Sequence, residues 1–382
     1  MRRLEDIGAY ENVPILVRGA LNVPTVHGSV ANAYRLRRAV PTLKLLQERH
    51  ARVIVVSHLG EKGTETLEPV AANLGSLVHG VQFFGETIGP RVRQKIREMY
   101  PGDILVLENL RRNKGETAND PAFAAELASL ADVFVEDSFD TCHRSHASIV
   151  GVPALLSSYA GLVVEEEVAA LSGALSPVSP SLAIIGGAKF STKEPVLTAL
   201  LAAYDHVFVG GALANDFFKA QGKQVGKSLT SNAETAQISE LLHHQKLVLP
   251  VDAIAVPVDS LSQPSARAHA RITLLEDVQS DEILVDHGPA TSALLTKLCT
   301  GAKNILWNGP LGNYENGFVD ATDSLARAIA ASGAHSVVGG GDTIASIEKL
   351  GLFSQFSFVS TGGGAMLDYL AHGTLPGIDA LG

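Results

Sequence analysis

In the first half of the chain, basic residues recur directly after short apolar runs. Arg18 follows 15–17, His58 follows 53–56, Arg111 and Arg112 follow 104–107, and His143, Arg144 and His146 follow 133–135. If the runs are neighbouring strands of one sheet, their cationic ends meet at a shared edge. Guanidinium and imidazole groups gathered there make a pocket for a small, multiply charged anion. One such residue is readily a surface arginine. The same feature after four runs points to a pocket.

The second half carries glycines at the same places: Gly186-Gly187-Ala188-Lys189, Gly210-Gly211-Ala212, Asn308-Gly309-Pro310-Leu311-Gly312, Gly339-Gly340-Gly341-Asp342 and Thr361-Gly362-Gly363-Gly364. Glycine lets backbone N–H groups approach a phosphate closely, and the N-terminus of a following helix favours negative charge. Tight turns favour glycine anyway, so a single turn says little. Five such turns, with Lys189 and Asp342 attached, point to nucleotide phosphates. Asp342 reads as a magnesium ligand or as a helix cap.

Two other patterns carry less. Residues 222–228 look like a phosphate-binding loop but are one residue short and follow a helical stretch, not a strand. His143 and His146 have no third metal ligand nearby and enclose an arginine, which favours anion binding or packing over a metal. Neither a G-x-G-x-x-G fingerprint nor a G-x-S-x-G nucleophile elbow is present.

The elements that must position these residues are legible as continuous apolar runs, the pattern of strands buried on both faces. The first half offers 15–17, 53–56, 81–84, 104–107 and 133–135. The second offers 182–185, 207–209, 247–249, 305–307, 336–338 and 358–360. Stretches such as 120–130, with apolar residues at helical spacing, lie between them. Alternating strand and helix predicts parallel α/β sheets. There are about twice as many strands as one such sheet usually needs, so the expectation is two α/β domains in tandem. The acidic triplet Glu165, Glu166 and Glu167 reads as the start of a connecting helix, and 176–181 as the loop into the second sheet.

Composition agrees. At roughly 150 residues per domain, 382 residues suggest two to three. Apolar residues make up 46% against 18% charged, enough for real cores and too apolar for global disorder. The net charge of −10 argues against a chain built to coat nucleic acid or anionic membrane. Two cysteines exclude a disulfide framework and a four-thiolate zinc site, with a reducing compartment as the default. The first ten residues place Glu5 and Asp6 where a signal peptide needs an apolar run. The longest uncharged stretches, 145–164 and 168–188, are broken by Ser, Pro and Gly and do not read as membrane spans. The expectation is a soluble, cytoplasmic protein.

At these residues the chain resembles a phosphoglycerate kinase along essentially its whole length. The matching motifs are Asn22-Val23-Pro24, Arg35 followed by 41–44, Ser57-His58-Leu59-Gly60, Glu108-Asn109-Leu110-Arg111, His143-Arg144-x-His146-Ala147-Ser148, Gly186-Gly187-Ala188-Lys189-x-Ser191-Thr192-Lys193, Gly226-Lys227-Ser228-Leu229, Leu249-Pro250-Val251-Asp252, Trp307-Asn308-Gly309-Pro310, Gly339-Gly340-Gly341-Asp342-Thr343 and Ser360-Thr361-Gly362-Gly363-Gly364-Ala365. The resemblance implies two Rossmann-like three-layer lobes with parallel sheets joined by a hinge helix. An acceptor lobe would span 1–160, the hinge 161–175 and a nucleotide lobe 176–371, with a tail, 372–382, returning to the first lobe. It implies reversible phosphoryl transfer between ATP and the carboxylate of 3-phosphoglycerate, with Mg2+, in a monomer whose partners are small molecules. Arg35, Lys189, Gly340 and Gly363 would serve the transition state. Asn22, Arg35, His58, Arg111 and Arg144 would hold the acceptor. Gly186, Lys193, Gly210, Asn308, Pro310, Glu315, Gly339, Gly340, Gly341, Asp342 and Thr343 would hold the nucleotide, with Asp342 on the metal.

The residue chemistry suits that reaction. A carboxylate acceptor, with a pKa of about 3–4, is ionised at pH 7 and needs no general base. The chain must supply cations and amides to neutralise the moving phosphoryl group, and must hold donor and acceptor in line. With the two on different lobes, the resemblance also implies closure that excludes water. Two positions depart from the family pattern on the acceptor side: Ala20 stands where aspartate is usual and Glu61 where arginine is usual. Asp140, where glycine is usual, and 313–316 depart less. Three readings follow: a diverged enzyme still using 3-phosphoglycerate, a paralogue phosphorylating another small carboxylate, or a nucleotide-binding protein with weak catalysis.

Overall fold

The computed structural model describes residues 1–382 apart from His27, Lys189, Asn232, Ala233 and Glu234, with the side chains of Thr235 and Ala236 also outside the description. The chain divides into two compact units, Met1–Ala169 with Thr374–Gly382, and Ala170–Gly373. The division falls inside the helix Leu162–Ala174, which contains the acidic triplet.

The first unit is built on a six-stranded sheet. Its strands are β1 (Pro14–Gly19), β2 (Arg52–Val56), β3 (Val81–Phe84), β4 (Ile104–Leu107), β5 (Val133–Asp137) and β6 (Ser157–Ala160). All pairings are parallel, in the order β3-β4-β2-β1-β5-β6. β1, β2, β4 and β5 are buried at nearly every position, which is why they read as unbroken apolar runs. The chain starts at the centre, moves outward through β2 to β3 and β4, then crosses to the other side of β1 for β5. Such a reversal leaves a crevice at the carboxyl ends of the central strands.

The second unit repeats the plan. Its strands are β7 (Ser181–Ile185), β8 (His206–Val209), β9 (Leu247–Val248), β10 (Asp252–Pro257), β11 (Arg271–Leu274), β12 (Glu282–His287), β13 (Asn304–Asn308), β14 (His335–Gly339) and β15 (Phe358–Val359). The main sheet is parallel in the order β9-β8-β7-β13-β14-β15, with its reversal between β7 and β13. β10, β11 and β12 form a separate antiparallel sheet in the order β11-β10-β12. That sheet is absent from the sequence reading. Two of its strands alternate only loosely, and Ile272 and Leu274 of β11 are exposed, so no continuous apolar run marks it. β6, with the sequence SSYA, was missed because an edge strand of polar residues carries no such run.

The terminal residues pack on the first unit through the short helix Pro376–Asp379. The Gly377 N–H donates to the Cys142 carbonyl at 2.8 Å. A Cβ on Gly377 would stand 2.8 Å from Ile149 Cγ2 and 2.9 Å from Cys142 Cα. Only glycine allows that approach. Gly377→Val should therefore destabilise the first unit by about 1–3 kcal/mol through overpacking. Calorimetry should show its melting transition several degrees lower, whereas an unchanged transition would mean that the tail leaves this seat at little cost.

Candidate active site

In the first unit the basic residues do meet. Arg18, at the carboxyl end of β1, is 1% exposed. Its Nε donates to Ser148 Oγ at 3.2 Å, and its Nη1 to the Gly19 carbonyl at 2.8 Å and to Ser57 Oγ at 3.2 Å. Its Nη2 lies 2.9 Å from His58 Nδ1. A guanidinium can only donate, so His58 Nδ1 accepts and the neutral ring keeps its proton on Nε2, as a donor. Ser148 is held in turn by Glu116, with Ser148 Oγ donating to Oε1 at 2.6 Å and Ser148 N to Oε2 at 3.1 Å.

Burial, followed by the charges of Arg18, Arg111, Arg144 and Arg35, holds the His58 pKa far below the usual imidazole range. His146 is lowered to about 4, by burial and then by Arg111, Arg144 and Arg18. One histidine thus feels four guanidinium groups, so the cations share a single basin. The loops around it are tied together. Arg111 Nη1 donates to the Gly60 carbonyl at 2.7 Å, Gly60 N donates to Asn22 Oδ1 at 3.1 Å, and Arg35 Nη1 donates to the Asn22 carbonyl at 2.7 Å. Two carboxyls stand at the end of β5. Burial pushes Glu136 well above its ordinary value and Asp137 up to about 8.

In the second unit the glycine turns lock against one another. Gly186 N donates to the Asn308 carbonyl at 2.8 Å and Gly187 N to the Pro310 carbonyl at 3.0 Å. A Cβ on Gly186 would stand 2.2 Å from the Pro310 oxygen, and one on Gly211, whose φ is +65°, would stand 2.7 Å from Gly187 N. Gly186 and Gly211 are thus required first for the fit of backbone on backbone across β7, β8 and β13.

Beside these turns lies a cavity of ≈ 390 Å³, lined by Gly187, Gly211, Pro310, Gly312, Glu315 and Asp342 among others. Part of its wall comes from residues that sequence reasoning missed, Asn215, Phe218 and the 283–287 edge of β12, and part from Leu229 of the 226–229 motif. An apolar wall facing a few polar groups is the usual form of a small-molecule site. The loose alternation along β12 was the available signal. His287 of that strand accepts from Gly211 N–H at 3.1 Å, and burial lowers its pKa to about 4.

The other predicted nucleotide residues gather at the next strand ends. Gly340, with φ of +104°, begins the helix Gly341–Lys349, and a Cβ there would stand 3.1 Å from Gly309 N and 3.3 Å from Thr343 Oγ1. Thr343 is fully buried and its hydroxyl has no partner. Asn308 Nδ2 lies 3.5 Å from the Gly363 carbonyl, and a Cβ on Gly339 would stand 3.4 Å from the same nitrogen. Lys193 Nζ lies 3.1 Å from the Cβ position of Gly187, and Gly210 packs against His287 and Leu311. Gly341 is exposed. Lys189 lies outside the described residues.

Magnesium takes one or two carboxylates and completes its shell with phosphate oxygens and water. Among the described residues no cluster of three or more His, Cys, Asp or Glu could close a cage around a metal. Asp342 fits the open arrangement: burial and then the charge of Glu315 raise its pKa, a strain that a cation would relieve.

The model of the phosphoglycerate kinase family matches residues 4–373. The phosphoglycerate kinase of Moorella thermoacetica is 39% identical over 391 residues, covering 99% of this chain and 98% of its own. That of Rubrobacter xylanophilus is 41% identical over 377 residues, with 96% and 95% covered. Among solved structures, phosphoglycerate kinase from Coxiella burnetii matches with a TM-score of 0.82 at 38% identity, covering 99% of this chain and 98% of that one. The enzyme from Pyrococcus horikoshii matches with 0.88 at 30% identity, covering 100% and 98%.

The His58 geometry makes a direct prediction. In NMR spectra of histidine-labelled protein, the His58 ring should stay neutral with its proton on Nε2 from pH 8 to about 5, where an ordinary histidine with a pKa of about 6.5 has already titrated. Titration near pH 6.5 would mean that Arg18 does not hold the ring.

Proposed function

The chain belongs to the phosphoglycerate kinase family, and on that premise we propose that it transfers the γ-phosphoryl group of ATP reversibly to the carboxylate of 3-phosphoglycerate. The products are ADP and 1,3-bisphosphoglycerate, as in glycolysis and gluconeogenesis. The observation that carries this reading is the set of contacts that gathers Arg18, Arg35 and Arg111 around His58, Gly60 and Asn22.

The acceptor carboxylate, ionised at pH 7 with a pKa of about 3–4, forms a bond to the γ-phosphorus. The bond from that phosphorus to the β–γ bridging oxygen breaks, and ADP leaves with the electron pair. No proton is removed, so no base is required. The chain's task is charge neutralisation and alignment. Arg35 and Lys189 serve the migrating group, aided by the amides of Gly340 and Gly363. Asn22, His58, Arg111 and Arg144 bind the acceptor. Gly186, Lys193, Gly210, Asn308, Pro310, Glu315, Gly339, Gly341 and Thr343 surround the nucleotide. Asp342 would hold Mg2+, which when bound would offset charge on the phosphates.

Ala20 and Glu61 do not favour another acceptor. Ala20 is 1% exposed and presents only a methyl group, while Glu61 is exposed. The four arginines and His58 remain around the basin. The reading extends to a cytoplasmic monomer whose partners are small molecules. Two buried, unpaired cysteines suit a reducing compartment.

A coupled assay with 1,3-bisphosphoglycerate and ADP tests the activity. Arg35→Ala should lower kcat by about 10²–10³-fold, as loss of a transition-state charge contact does. Turnover by the parent no better than by that variant would sink the proposal. Asp342→Asn should weaken binding of MgADP by about tenfold or more, since even outer-shell changes cost about 10–100-fold in metal affinity. Calorimetry with EDTA should show metal-free ADP bound as in the parent. Equal losses with and without metal would remove Asp342 from the metal site.

A further inference from the structure

Asp140 is an acidic side chain beside the anion basin that the reaction does not call for. Asp140 lies in the turn Phe139–Thr141 after β5, with its side chain 5% exposed. Its Oδ2 is 3.2 Å from Arg35 Nη1. Its Oδ1 accepts from Ser138 Oγ at 2.7 Å, and Thr141 Oγ1 lies 3.1 Å from the same Ser138 hydroxyl. The carboxylate is therefore aimed by its own turn. A negative charge beside a polyanion site repels the ligand, so its presence there needs a compensating role.

Arg35 is held from two strand ends. The Asn22 carbonyl, beyond β1, accepts from Nη1 at 2.7 Å, and Asp140, beyond β5, faces the same nitrogen. β1 and β5 are neighbours in register, Gly19 opposite Asp137. The two supports are thus fixed by one pair of strands at the point where the sheet reverses. Ala20, the residue after β1, has no side-chain charge to contribute. The Arg35 side chain is partly open to solvent (29% exposed), and misplacement of such a group by about 1 Å can cost about 100-fold in rate.

We infer that Asp140 is a positioning residue for Arg35: the buried carboxylate fixes the guanidinium that meets the migrating phosphoryl group, and acts on catalysis only through it. The inference rests on the role proposed above for Arg35. Asp140→Asn keeps the shape and the hydrogen bond from Ser138 but removes the ion pair. It should lower kcat by about tenfold and leave the KM for ATP and the melting temperature near the parent's.

The deciding experiment is a double-mutant cycle with Arg35→Lys, which keeps the charge but loses the fork that Asp140 orients. In the Arg35→Lys background, Asp140→Asn should have no further effect on kcat. The same fold-loss in both backgrounds, or no loss in the parent, overturns the inference. Asp140→Ser supplies the second variant should the amide disturb the turn, with the same expected non-additivity. If Arg35→Lys alone leaves kcat unchanged, the role of Arg35 itself fails. If Arg35→Lys is impaired and Asp140→Asn is not, only the role of Asp140 fails.

Discussion

The buried guanidinium of Arg18 is the constraint on which the anion basin depends. Its three nitrogens reach the Gly19 carbonyl, the Ser57 and Ser148 hydroxyls and His58 Nδ1. A buried charge is tolerated only when its hydrogen bonds are satisfied, and here satisfying them links the ends of β1 and β2 to the 147–151 segment. The same bonds set the His58 tautomer. A ring that stays neutral beside four arginines offers a donor without adding repulsion. Burial raises the pKa of both acids at the end of β5, Glu136 and Asp137, the latter to about 8.

The second unit meets its ligand with backbone in place of side-chain charge. The turns after β7, β8 and β13 interlock so closely that a single added carbon at Gly186 would collide with the Pro310 oxygen. That rigidity places peptide groups and the start of the helix Gly341–Lys349 beside one cavity, with Asp342 in its lining. Two α/β units of similar plan thus carry opposite strategies: cationic side chains in one, glycine backbone with the half-buried Asp342 in the other. Phosphoryl transfer to an ionised carboxylate asks for both, since it needs neutralisation and alignment but no proton transfer.

Most of the fold was legible because the central strands are buried on both faces and leave unbroken apolar runs at 15–17, 53–56, 104–107 and 305–307. What was not legible has a physical cause in each case. β6 is a polar edge strand. The β10–β12 sheet leaves one strand largely exposed, so its pattern is weak, and the cavity wall it provides stayed hidden with it. The residue types of the site were visible from the strand-end rule, but their partners were not. That Arg18 fixes the tautomer of His58, 40 residues away, or that Asp140 faces Arg35 across 105 residues, follows from strand order and register, which local pattern does not encode. At Gly186 the close approach of the Pro310 turn also demands glycine, a requirement that the glycine pattern alone does not reveal.

The central claim is that the arginine basin of the first unit is the seat of a small phosphorylated carboxylate. A crystal structure with 3-phosphoglycerate tests it most directly. The account predicts density for the ligand within hydrogen-bond reach of Arg35, Arg111, Arg144 and the Nε2–H of His58. Density for a fully occupied ligand elsewhere on the molecule, with those four side chains untouched, would contradict it.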